Sequence, residues 1–221
     1  MARMARLVIP GLPHHVTQRG VRRIKVFTHK TDSATYLDMM KESCAKAGTT
    51  ILAYCLMPNH VHFVMVPSHE DGLRAALADT HRRYTRMVNL REECRGHLWQ
   101  ERFHSFVMDE SYLLSCVKYV ELNPVRAGLV EQPKNWLWSS ARAHLTSKDD
   151  GLVKVKPMLE LVPNWQQFLD SGMPKNHLEQ IYKHKLTGRP LGPDNWIKKL
   201  EAQSGRKLVK NKPGPKVKIK S

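Results

Sequence analysis

Along the first two thirds of the chain, apolar residues recur at two different periods, and their alternation predicts a mixed α+β fold. His14–Gln18 reads as a first strand, followed by a basic loop and a short extended piece near Lys25–Thr28. Tyr36, Leu37, Met40, Cys44 and Ala47 recur at spacings of three and four, which predicts a helix over 32–47. Thr31 or Asp32 can cap its start, and Gly48 stands where a C-terminal glycine belongs. Strands Thr50–Leu56 and His60–Val66 flank Met-Pro-Asn, and Pro58 fits a turn because it has no N–H to donate to a ladder. This is a hairpin. A second helix is expected over 72–89, with Leu73, Leu77, Tyr84 and Val88 facing inward. Leu98–Met108 carries Trp99, Phe103 and Phe106, the aromatic weight of a strand. Asp109 or Ser111 then opens a helix that Pro124 should stop at about Asn123. This order suits a compact antiparallel sheet with helices on one face.

Beyond this region the strand signals fade. Trp136–Arg142 reads as a short helix that tucks two tryptophans into the core, and further helices are expected near 164–171, 174–186 and 194–204. The last stretch, 206–221, holds seven Lys or Arg, two prolines and no acid, so alone it should lack structure. The expected division is a folded unit over 1–149, a helical and basic C-terminal extension over 150–205 and a basic tail over 206–221.

Charge changes the picture more than length does. Thirty-six Lys and Arg face 20 Asp and Glu, a formal net charge of +16. A solubilising surface needs far less, so a polyanionic partner is implied, with nucleic acid ahead of an anionic membrane surface. The basic residues are distributed in ways that suit phosphate contact. Arg19, Arg22, Arg23 and Lys25 occupy the first loop. Arg74, His81, Arg82, Arg83 and Arg86 load the second helix, with only Asp79 to oppose them. Arg102 and Arg126 lie further on, and Lys207, Lys210 and Lys212 lie in the tail. Gly188-Arg189-Pro190 reads either as a helix-ending turn or as a hook placing Arg189 in a narrow minor groove, and the helices around it could form a helix-turn-helix. The four cysteines show no Cys-x-x-Cys spacing and read as buried free thiols in a reducing compartment. No apolar run approaches a membrane span, and no signal-peptide core follows the first arginines, so a cytoplasmic protein is expected.

Candidate chemistry centres on His60 and His62. Two apart in a strand, they share a face and form half of a metal site. Twelve histidines give ~0.65 such pairs by chance, so the rest of the chain must decide. Tyr112, Cys116, Tyr119 and Asn123 are spaced four, three and four, and line one helical face. Taken alone, Tyr119 is a core aromatic and Asn123 a helix terminator. Beside a His-x-His strand in a strongly basic protein, they make a kit for phosphoryl transfer. A phenol is a weak nucleophile at neutral pH, and a divalent metal held by His60, His62 and Asn123 would polarise and align the phosphodiester it attacks.

Five segments then resemble one family in matching order: Pro-His-His-Val-Thr-Gln-Arg-Gly (13–20), Met-Pro-Asn-His-Val-His (57–62), Trp-Gln-Glu-Arg-Phe-His (99–104), Tyr-Val-Glu-Leu-Asn-Pro-Val-Arg-Ala-Gly-Leu-Val (119–130) and Trp-Ser-Ser-Ala (138–141). Together they resemble the single-tyrosine HUH transposases, in their REP-associated branch. The resemblance implies a ferredoxin-like α+β core and Mg or Mn as the metal. It implies Tyr119 as nucleophile, His60 and His62 as the histidine pair, and Asn123 as third ligand where insertion-sequence relatives carry Gln. The reaction implied is cleavage of single-stranded DNA, at hairpin-forming or palindromic repeats, leaving a 3′ hydroxyl and a 5′ phosphotyrosine. The resemblance implies a monomer or a homodimer as the acting species. Two rival readings stay open: a sequence-specific DNA-binding regulator with a silent site, and a zinc hydrolase, which would need a further ligand and leave Tyr119 without a role.

Overall fold

The computed structural model describes residues 6–209. Among them, four strands form one antiparallel sheet in the order β2-β3-β1-β4. The strands are β1 (His14–Arg19), β2 (Thr49–Met57), β3 (His60–Pro67) and β4 (His104–Val107). Helix α1 (Asp32–Lys46) follows β1, and α2 (Gly72–Arg91) follows β3. Both pack on one face, where Val61, Phe63 and Met65 of β3 meet Tyr36, Met40, Leu73, Leu77 and Tyr84. That is the expected α+β core. The opposite face, expected to carry no helix, is covered by α3 (Glu110–Glu121), whose Leu113, Cys116, Val117 and Val120 meet Ala53, Cys55, Val64 and Phe106.

Local chemistry explains the boundaries. Gly48 adopts φ +54°, and a Cβ there would collide with the Ser68 hydroxyl. Thr31 makes no side-chain cap. Instead Asp32 accepts from the Thr28 and His29 backbone N–H groups, both at 2.9 Å, and from Arg91 at 2.6 Å, tying the loop before α1 to the end of α2. Pro58 and Asn59 make the two-residue turn between paired Met57 and His60.

Several segments depart from the expected elements. The Lys25–Thr28 piece forms no strand; Val21–Arg23 is a 3-10 turn, and Arg22 and Arg23 sit at φ 49° and 64°. The long strand over 98–108 shrinks to β4. The chain turns at Glu101 (φ 57°), where Gln18 Nε2 donates to the Gln100 and Glu101 carbonyls. Pro124 does not end the helical path at Asn123: α3 stops at Glu121, and a further turn, α4 (Asn123–Arg126), holds Pro124 in its first turn, where its missing N–H costs nothing. Trp136–Ser140 is no helix, because the Trp138 carbonyl accepts from Leu56 N and Trp136 Nε1 donates to the Leu56 carbonyl, which draws the segment along β2. Helix α5 (Ala141–Thr146) begins only afterwards, and both tryptophans are half-buried.

The remaining helices are α6 (Lys156–Leu161), which the sequence pattern did not predict, α7 (Trp165–Asp170), α8 (Lys175–Thr187) and α9 (Asp194–Ser204). They pack onto the core. Leu191 runs beside the edge of β4: its N–H donates to the Val107 carbonyl at 2.9 Å and its carbonyl accepts from Asp109 N–H at 3.0 Å. Leu200 and Leu208 bury against Leu7, Ile9 and Val107. The tail expected to lack structure from 206 is therefore held at least through Leu208, while residues 210–221 lie outside the described residues. Cys44, Cys55 and Cys116 are buried free thiols; Cys94, against expectation, is exposed. Among the described residues, no helix is long and apolar enough to cross a membrane.

Candidate active site

Sheet register gathers the site. Alternation puts His60 and His62 on the α3 side of the sheet, and β1 pairing sets Arg19 opposite His60, Thr17 opposite His62 and His15 opposite Val64. The imidazoles of His60 and His62 lie 4.9 Å apart between centroids. From α3, the Tyr119 ring stands edge-on to His62 at 5.6 Å and to His15 at 5.8 Å. Asn123 is buried one turn further on, and its Oδ1 accepts from Arg126 Nη2 at 3.1 Å. The Arg126 guanidinium also lies 4.1 Å above the Tyr119 ring.

Each imidazole has one nitrogen engaged. His60 Nδ1 meets Asn59 Oδ1 at 2.6 Å, which makes it the donor and leaves Nε2 with the lone pair. Asn59 also donates from Nδ2 to the Arg23 carbonyl at 3.1 Å, and its own carbonyl accepts from Gly20 N–H. The basic loop is thus latched to the turn that presents His60. A Cβ on Gly20 would strike the Ile24 carbonyl, so this close approach requires glycine. His62 Nδ1 meets His15 Nε2 at 3.0 Å, with the rings stacked at 5.2 Å. Its Nε2 is buried with no protein partner, as is Asn123 Nδ2. Burial drives the pKa of His60 and of His15 down to about 3, with Lys185 adding to both and Arg19 to His60; it pushes His62 well below its ordinary value. These rings are neutral at physiological pH, the form that donates a lone pair to a metal. Burial raises the Tyr119 phenol well above its ordinary range, with Arg126 pulling the other way.

A divalent cation at this face would have to be held by the side chains it presents. Among the described residues, no three His, Cys, Asp or Glu side chains gather to hold a metal. Two neutral imidazoles and an amide oxygen with a second lone pair are what the face offers, and the orphaned His62 Nε2 is the atom a cation would satisfy. The residues fit such a group.

Helix α8 closes the site. Tyr182 stands edge-on to Tyr119 at 5.7 Å, and His177 packs on Tyr112 while its Nδ1 meets Ser115 Oγ at 2.6 Å. A cleft of about 270 Å³ opens between α8 and the sheet, lined in part by Arg19, His60, His104, Tyr182, Lys185 and Leu186. Tyr119 is 2% exposed.

The expected basic residues divide. Arg19 and Arg126 come to the site. Arg22, Arg23 and Lys25 are exposed in the latched loop, and Arg86 and Lys207 are exposed elsewhere. Arg82 pairs with Asp79 at 2.6 Å and Arg83 with Glu42 at 2.8 Å, so the α2 face is more balanced than its sequence suggested. His81 does not join that face: its Nε2 meets the Tyr36 hydroxyl at 3.0 Å, its ring stacks on Trp99 at 4.4 Å, and burial lowers its pKa to about 3. Arg102 lines a second cleft with Trp99 and Arg74. Arg189 follows the αL glycine that ends α8, and its guanidinium donates to the Leu208 carbonyl, so Gly188-Arg189-Pro190 is a helix-ending turn. Lys210 and Lys212 lie outside the described residues. His15, Asn59, Tyr182 and Lys185 were not anticipated. Only the i, i+3 spacing of the last two signalled a shared face.

A ferredoxin-like sheet with two histidines on one face and a tyrosine helix laid across them narrows the class of protein. The family model described as IS200-like transposase matches residues 9–123, more than half of the chain and all of that face, and the chain belongs to this family. A curated protein of Haemophilus influenzae named as a REP-associated tyrosine transposase is 30% identical over 113 residues. That match takes in 45% of this chain and 63% of the relative's length. Among solved structures, a REP-associated tyrosine transposase bound to a REP hairpin superposes with a TM-score of 0.58 at 20% identity, over 70% of this chain and 90% of that one. A transposase from Deinococcus radiodurans gives 0.38 at 20% identity, over 54% and 96%.

Proposed function

We propose that this chain is a single-tyrosine, metal-dependent endonuclease and strand transferase acting on single-stranded DNA at hairpin-forming repeats. The observation that carries the reading is the packing of Tyr119 against His62 on a face whose imidazoles are neutral and whose His62 Nε2 lacks a partner. The named partner of the similar solved structure, a REP hairpin, and the net charge of +16 support DNA hairpins as substrate. Residues 1–149 form the catalytic unit, 150–205 a helical extension, and 206–221 a basic tail contacting phosphates. Cytoplasmic residence fits the free thiols.

Within this reading each residue has a task. His60, His62 and Asn123 would hold a divalent cation, Mn²⁺ suiting the imidazole-rich set better than Mg²⁺. When bound, that ion supplies Lewis-acid polarisation of the scissile phosphodiester. Asn59 and His15 fix the ring orientations of His60 and His62. The Tyr119 oxygen forms a new P–O bond as the P–O3′ bond breaks. The phenol proton is given up and the departing O3′ takes one, leaving a 3′ hydroxyl and a 5′ phosphotyrosine. Arg126, above the ring, favours the phenolate.

One observation favours a second reading, a binding-only regulator: the candidate nucleophile is buried beneath Tyr182. Labelled hairpin oligonucleotides from the gene's own flanks, incubated with Mg²⁺ or Mn²⁺, separate the two. Cleavage by the wild type and its loss in Tyr119→Phe, with binding retained, is the expected result. Tight binding without cleavage under any metal supports the regulator.

A further inference from the structure

Lys185 belongs to α8, beyond the residues the family model matches. It is half-buried and lines the cleft beside Arg19 and His60. One helical turn earlier on the same face, Tyr182 touches Tyr119. Among the described residues, Lys185 has no hydrogen-bonding or ion-pairing partner. Glu101 is the one carboxylate among the residues lining the cleft, and it is exposed. Burial lowers the Lys185 pKa to about 8, and the like charges of Arg19 from β1 and Arg126 from α4 add to it. Withdrawing an ammonium from water beside two guanidiniums is unfavourable unless an anion joins them. A solvated surface lysine would extend outward; this one lines the cleft onto which His60 opens. Sequence patterning could not find it, because Lys183 and Lys185 look alike on a basic helix until α8 is docked.

We propose that Lys185 is a phosphate-binding catalytic residue of this chain, completing with Arg19 and Arg126 a cationic clamp on the DNA backbone next to Tyr119. The inference rests on the strand-cleaving reading of the cleft and adds to it a substrate contact supplied by the C-terminal extension. A planar fork at this position would also serve, so arginine should replace lysine, while a neutral isostere should not.

The test uses full-length protein and two measurements: single-turnover cleavage of the flanking hairpin oligonucleotide with Mn²⁺, and binding of oligothymidylate across a salt series. Lys185→Gln should slow cleavage roughly tenfold or more, as a lost charge-assisted contact to phosphate implies. It should also flatten the slope of log affinity against log salt by about 0.7, one phosphate's worth for a single strand. Lys185→Arg should keep both near wild type, and Lys183→Gln should leave cleavage unchanged. If Lys185→Gln lowers the thermal midpoint, Lys185→Met, which keeps the apolar stem, is read in its place. Wild-type cleavage and salt slope in the neutral variant would overturn the proposal. So would slowed cleavage with an unchanged slope, since the residue would then act without touching phosphate. If the wild-type protein cleaves nothing, the strand-cleaving reading fails, while the salt slope still reports whether Lys185 binds backbone.

Discussion

His62 has both ring nitrogens buried, and the two need different partners. Nδ1 faces His15 Nε2 at 3.0 Å, while Nε2 has no protein atom to satisfy it. If His62 donates from Nδ1, its Nε2 carries the lone pair, the state a metal ligand requires, and His15 selects that tautomer. His15→Ala should therefore weaken Mn²⁺ binding by about 10–100-fold, the usual cost of losing an outer partner of a ligand. Titration calorimetry with Mn²⁺ checks this, and unchanged affinity beside a loss in His62→Ala would remove His15 from the site. His60, His62, Tyr119 and Asn123 were legible in sequence because each pair obeys one local period, two along a strand or four along a helix. His15 was not legible as a partner of His62, because their meeting depends on the register of β1 against β3, which no single-strand pattern carries.

At the scale of elements, the position of α3 depends on Glu121, which is fully buried two residues after Tyr119. Its carboxylate accepts from Ser140 Oγ at 2.6 Å, His144 Nδ1 at 2.6 Å and Trp165 Nε1 at 2.8 Å, joining α3 to the turn before α5, to α5 and to α7. Glu121→Ala would strand three buried donors, each costing about 1–3 kcal/mol, and should destabilise the protein by about 3 kcal/mol or more in urea unfolding. A loss below about 1 kcal/mol would mean that water replaces the carboxylate. This hub explains what sequence periodicity could and could not show. Helices α1, α2, α8 and α9 were legible to within two residues at either end, because each carries its own apolar stripe and start or stop signal. The segments around 98–103 and 136–140 were misread, because long-range hydrogen bonds from Gln18 and to Leu56, not local pattern, set their backbone. Helix α6 follows a turn built by Asp149 accepting from Val155 N–H and Asp150 from Val153 N–H, a device with no apolar periodicity.

Over the whole molecule, burial of neutral imidazoles sets an acid limit. His14 is pushed down to about 4 and His81 to about 3, both by desolvation. Between the ordinary histidine value near 6.5 and those folded values, the unfolded chain binds protons that the native chain refuses. Stability should therefore be full above about pH 6.5 and fall as the pH drops towards 4. Urea midpoints across that range check the sign, and a flat profile would show that these rings are protonated or solvated when folded. The C-terminal helices share this one body: α8 lies against α3 and β4, and α9 packs on the N-terminal segment. The extension thus packs against the same body as the candidate site. Tyr119, as the proposed nucleophile, is tested by peptide mapping by mass spectrometry after Mn²⁺-dependent reaction with the flanking hairpin oligonucleotide. A nucleotide adduct confined to the peptide bearing Tyr119, and lost in Tyr119→Phe, is the expected result; an adduct on another residue, or one undiminished in Tyr119→Phe, would contradict it.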